Sequence, residues 1–202
     1  SILIGVLAAG VSAIMALILG ICAATLGKKV DSAISFAIDT VMGIPHILLL
    51  ILISYAMGKG LKGVIAGVAL THWTSLARLI RGEVMQLRES EYIQIAGKLG
   101  LGKWEIAKKH IVPHVLPQFI VGLVLLFPHA ILHESSITFL GFGLSTEQPA
   151  IGVILSESMR YLIMGKWWLA VFPGMMLVLT VVLFEKGGTA IRQLLDPGSV
   201  HK

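Results

Sequence analysis

Residues 91–117 read EYIQIAGKLGLGKWEIAKKHIVPHVLP, a basic, glycine-punctuated stretch set between strongly apolar runs. Tyr92, Ile95, Ala96 and Leu99 recur at i, i+3, i+4 and i+7, which is one face of a helix. Leu101, Trp104, Ile106 and Ala107 give a second, weaker apolar patch. Gly100 and Gly102 allow a turn, so the pattern predicts two short helices meeting at 100–102. Pro113 and Pro117 then kink the entry into the next apolar run. Such a segment is either an ordinary interfacial helix or a surface on which a soluble partner docks.

The flanking runs decide the class. Of the 202 residues 56% are hydrophobic and only 13% charged, against about 25% charged in soluble domains. Lipid is then the solvent for the outer surface, and an all-α polytopic membrane protein is expected. Five spans can be drawn, at about 2–26, 33–57, 64–87, 111–133 and 167–184. The whole chain, 1–202, reads as one transmembrane domain with a polar loop at 88–117 and a second, outer loop at 134–166. Loop charge sets the orientation. Twelve of the Lys and Arg residues fall on the side of the 91–117 segment and the C-terminus, and Lys59, Lys62, Arg160 and Lys166 fall on the other. The positive-inside rule puts the richer side in the cytoplasm and the first residue outside. The net charge of +5 therefore reflects membrane topology, and no nucleic-acid partner is expected. The single Cys22 excludes an intrachain disulfide.

The order of residues in the basic segment resembles the EAA-type loop of binding-protein-dependent ABC importer permeases. Glu91, Tyr92, Ala96, Gly100, His110, Pro113 and Pro117 follow the pattern of the dipeptide, oligopeptide and nickel branch, while Ile95 and Gly97 depart from it. Further matches run in order along the chain: Thr71-His72-Trp73 with Ala77, Arg78 and Arg81, then ESSITFLGFGL at 134–144, Pro149, Gly152, Arg160-Tyr161, Trp168, Pro173-Gly174 and Leu195-Asp196-Pro197. The resemblance is strongest to the nickel-import C-type subunit. It implies a type I ABC importer permease core in a prokaryotic inner membrane, with five helices here and the family's first span absent. It implies a cytoplasmic coupling helix in which Glu91, Tyr92, Ala96, Gly100, Leu101 and Gly102 meet an ATPase. The implied partners are a second permease subunit, two cytoplasmic ATPases and an extracytoplasmic binding protein. No G-x-x-x-x-G-K-[ST] is present, so ATP and Mg²⁺ are expected on the partner ATPases. This chain is expected to bind no cofactor and to be no enzyme.

Cargo must be read from the spans. His129 and His133 stand at i and i+4, on one helical face, and imidazole is a good ligand for Ni²⁺, Zn²⁺ and Cu²⁺. Ionisable groups within a span are functional candidates. Glu134 is placed to orient one imidazole as a supporting carboxylate, and His46, after Pro45, and His72, before Trp73, are weaker candidates for the same path. The expected cargo is Ni²⁺ or a metal chelate, with a dipeptide or oligopeptide as the alternative. A metalloprotease is disfavoured because Glu134 follows the second histidine, whereas H-E-x-x-H puts the base between the ligands. A passive channel has no use for a coupling loop. Gly63-x-x-x-Gly67 reads as a close helix-packing motif.

Overall fold

The structure is a computed structural model and describes residues 1–195; Asp196 and Pro197 of the terminal motif lie outside the described residues. Nine α-helices follow one another among the described residues: α1 (Ile2–Thr25), α2 (Lys28–Gly43), α3 (His46–Ala56), α4 (Gly60–Glu89), α5 (Glu91–Lys98), α6 (Lys103–Ile106), α7 (Val112–Phe139), α8 (Ile151–Leu162) and α9 (Trp168–Leu195). A single π-helical turn, Ala107–Ile111, joins α6 to α7. Together they run as one helix over Trp104–Phe139, so 111–117 is the base of a span and not part of a loop. Four helices are long and apolar enough to cross a membrane, or five with α2 and α3 taken as one broken span.

That broken span is the main departure from expectation. The segment predicted as one helix over 33–57 is two helices bent by 100°. The cause is local. Pro45 excludes helical backbone from the residue before it, and Ile44 is extended, with ψ 137°. Pro45 also has no N–H to continue the α2 ladder.

α1 and α4 form the spine of the bundle. α1 turns small residues inward: Ala8, Ala9, Ala13, Ala16, Ala23 and Ala24 are all buried. At Gly20 a Cβ would stand 2.8 Å from the Ala77 carbonyl oxygen, so the two backbones approach as small-residue interfaces in membranes do. Ser12 Oγ donates to Ala69 O at 3.1 Å across the same seam. α3 rides on α4 at the predicted glycine pair, where a Cβ on Gly63 would lie 2.6 Å from Ser54 O and one on Gly67 3.3 Å from Leu50 O. One buried cluster, with Val64, Val68, Phe127 and Ile131, fills one half of the bundle. A second, with Trp73, Ala77, Ile80, Val84 and Val115, fills the other.

The two ends are tied differently. At one end Gly60 N–H donates to Gly143 O at 3.0 Å, Ser54 Oγ to Phe142 O at 2.8 Å, and Ile151 N–H to Ser1 Oγ at 3.2 Å. The predicted outer loop is largely helical: 134–139 completes α7 and 151–162 forms α8. At the opposite end Arg81 clamps Asp31 through Nε at 2.5 Å and Nη2 at 2.7 Å. Arg88 donates to the Ala24 carbonyl there, and α5 and α6 follow directly.

Candidate functional site

Two places collect the residues that the sequence singles out. The first is the α5–α6 corner. Ser90, extended at ψ 143°, opens α5, and Glu91 in its first turn opposes the positive end of the helix. The chain reverses at Gly100, whose φ of +91° is a left-handed conformation that glycine adopts freely. Leu101 N–H then donates to Ala96 O at 3.2 Å. The predicted two-helix corner is therefore present, but the predicted apolar face divides. Ala96 is buried, and Ile93 rather than its neighbours packs inward beside it. Tyr92 and Ile95 are exposed, Leu99 is 78% exposed and Trp104 80%. Three of the four residues of that face thus form an uncovered apolar ridge. Glu91, Gly100 and Gly102 stand exposed beside it, and Leu101 is half-buried. The Tyr92 ring meets His110 edge-on at 6.0 Å.

The second place is a cavity of about 730 Å³ between the α2–α3 break, α4 and α7, lined by His46, His72, His129 and His133 among apolar side chains. The break carries His46 to the first position of α3. α4 supplies His72 together with Thr71, Thr74 and Ser75. α7 supplies the other two histidines. His46, His72 and His133 converge: their ring centroids lie 4.5 to 4.9 Å apart. Each offers a ring nitrogen within 4.8 Å of those of the other two. His72 Nδ1 lies 3.0 Å from Val68 O and 3.0 Å from Thr71 Oγ1. A carbonyl only accepts, so Nδ1 carries the proton and Nε2 keeps its lone pair.

All four histidines named from the sequence thus line one chamber. His129 is exposed there, while His133 meets His46 and His72 from two other helices. Glu134 does not orient an imidazole. It is fully buried and lies outside the chamber lining, accepting from Thr138 Oγ1 at 3.1 Å and Ser135 Oγ at 3.5 Å. Thr74 and Ser75, which also line the chamber, were not singled out in the sequence. Met42 also lines the cavity.

These features define a polytopic helical membrane protein with a histidine-lined chamber between its spans and an exposed apolar corner at one end. The chain belongs to the family of binding-protein-dependent transport system inner membrane components, which matches residues 16–199. It is 32% identical over 98% of its length to the dipeptide transport system permease protein DppC of Bacillus subtilis (strain 168), spanning 62% of that protein. It is 31% identical to the oligopeptide transport system permease protein OppC of the same organism, over 98% of this chain and 64% of that one. It is 30% identical to the probable D,D-dipeptide transport system permease protein DdpC of Escherichia coli (strain K12), over 98% and 66%. The chain thus spans somewhat under two thirds of these relatives. Its fold is similar to that of the MetNI methionine ABC transporter in inward facing conformations, with a TM-score of 0.77 at 16% identity, covering 96% of this chain and 92% of that one. These relatives are named for peptides, and a special closeness to the nickel branch is not shown by them.

Proposed function

We propose that this chain is a permease subunit of an ATP-driven importer that moves short peptides inward by alternating access. The observation that carries the reading is the similarity, over 98% of this chain, to dipeptide and oligopeptide permeases. Two features of the molecule support it. The exposed ridge of Tyr92, Ile95, Leu99 and Trp104 suits the cleft of a cytoplasmic ATPase, because large apolar side chains left together on a surface mark partner sites. The chamber volume of about 730 Å³ falls in the range of about 300–1,000 Å³ typical of small-molecule sites. In this reading a second permease closes the open side of the chamber, two ATPases bind and hydrolyse ATP, and a binding protein delivers cargo from outside. ATP closure biases the bundle because the ATPases bind its two states with different affinity.

A second cargo, nickel ion or a metal chelate, is favoured by one observation, the convergence of His46, His72 and His133. Uptake separates the two readings. In cells depending on this transporter, deletion of the chain should abolish ATP-dependent uptake of a radiolabelled dipeptide, and the full-length gene should restore it. Loss of ⁶³Ni²⁺ uptake with unchanged dipeptide uptake would transfer the assignment to the metal reading.

A further inference from the structure

We propose that His46, His72 and His133 form a binding site for one divalent transition-metal cation of the Ni²⁺, Zn²⁺ or Cu²⁺ type, with three neutral imidazole ligands and an open position toward the chamber. That the site lies on a transport route rests on the importer reading; that it binds metal does not.

Geometry comes first. The three rings are tilted against one another at 57° to 76°, so they meet edge to edge or edge to face instead of stacking. Each ring also has a buried nitrogen with no hydrogen-bond partner: His46 Nε2, His72 Nε2 and His133 Nδ1. A buried polar atom left unpaired costs about 1–3 kcal/mol, and here three such atoms gather within one chamber. One cation satisfies all three together. In a tetrahedral site two nitrogens bound at about 2.0–2.1 Å to one ion stand about 3.4 Å apart. From the present limit of 4.8 Å the rings must therefore approach by up to about 1.4 Å when the ion binds.

Donor chemistry selects the ion. Imidazole suits Ni²⁺, Zn²⁺ and Cu²⁺, whereas Mg²⁺ and Ca²⁺ demand oxygen ligands. The nearest buried carboxylate on α7, Glu134, is engaged by Thr138 and Ser135. The Nδ1–H of His72, held by the Val68 carbonyl, is the arrangement that fixes a metal-binding imidazole in its ligating tautomer. Three protein ligands with an accessible fourth position mark an exchanging site rather than a closed structural one. Reversible entry and exit are what a transport chamber requires.

The test is equilibrium binding of ⁶³Ni²⁺ to the full-length chain in its assembled transporter, in lipid nanodiscs, without ATP or binding protein. One Ni²⁺ per copy of this chain is expected, displaced by Zn²⁺ and unaffected by millimolar Mg²⁺. X-ray absorption at the nickel edge should report imidazole scattering. The triple variant H46N/H72N/H133N should bind roughly tenfold more weakly or worse, since even supporting residues of metal sites are worth that much. Binding equal to wild type in the triple variant, or a nickel spectrum with oxygen ligands alone, overturns the site. If the triple variant does not assemble, the wild-type spectrum and His133→Asn decide by the same criteria. Dipeptide uptake is scored separately, so that loss of the metal site and loss of the importer reading give different results.

Discussion

Glu134 illustrates how much a single side chain holds at the residue scale. Its carboxylate accepts from Thr138 Oγ1, and that same hydroxyl accepts from Leu144 N–H at 3.2 Å. One threonine thus links the end of α7 to the loop that follows it. Thr138→Val keeps the shape and removes both bonds, so a loss of about 1–3 kcal/mol is expected. Thermal unfolding of the purified complex checks this, with Thr138→Ser close to wild type. The chemistry of residues was legible in the sequence, but their neighbours were not. His133 was found through its i, i+4 spacing to His129, a relation along one helix. Its actual partners, His46 and His72, come from two other helices, and no spacing rule reaches across a tertiary contact. Glu134 failed for a related reason: adjacency to a histidine in sequence rotates a side chain by about 100° around the helix, here away from the chamber.

At the scale of elements, the sequence signals that worked were strong local ones. Gly100 and Gly102 marked the corner between α5 and α6, and Gly63 and Gly67 marked the approach of α3 to α4. A Cβ at Gly63 meets the Ser54 carbonyl at 2.6 Å, an obstacle of backbone and not of a yielding side chain. Gly63→Ala should therefore cost about 1–3 kcal/mol, as overpacking does, seen as a lower melting temperature of the complex. Which residues of the α5 face are covered was not legible, because burial follows what stands beside a helix. Ile93 and Ala96 meet the bundle, and Tyr92, Ile95 and Leu99 point away from it. That outward ridge yields a sharper prediction. Leu99→Asp with Trp104→Asp should leave the permease folded and weaken ATPase association by roughly 2 kcal/mol or more per anchor, the scale of interface hot spots. Co-purification of the ATPases with the variant, compared with wild type, measures it.

For the whole molecule, composition and span hydropathy were enough to foresee a helical bundle in a membrane, because that inference sums over many residues. The orientation expected from loop charge rests on the same kind of sum, and labelling tests it. The α5–α6 corner and the 140–150 loop lie at opposite ends of the long helices α4 and α7. In a Cys22→Ser background, Gln94→Cys should react with an impermeant maleimide only from the cytoplasmic side and Thr146→Cys only from outside. The reverse pattern would invert the assignment of ends. Cavities are another matter: the chamber exists only because one predicted span is broken, and a window of hydropathy averages straight across Pro45.

The break at Pro45 also bears on hydration. Val41 C=O has lost the amide that would have closed its helical turn, because residue 45 is proline, and residues 41 to 44 form part of the chamber wall. Backbone carbonyls stranded in a hydrocarbon setting cost several kcal/mol each. The chamber wall at the break is therefore a polar edge in an otherwise largely apolar lining. A cargo that donates hydrogen bonds to that edge is favoured over one of the same size that cannot.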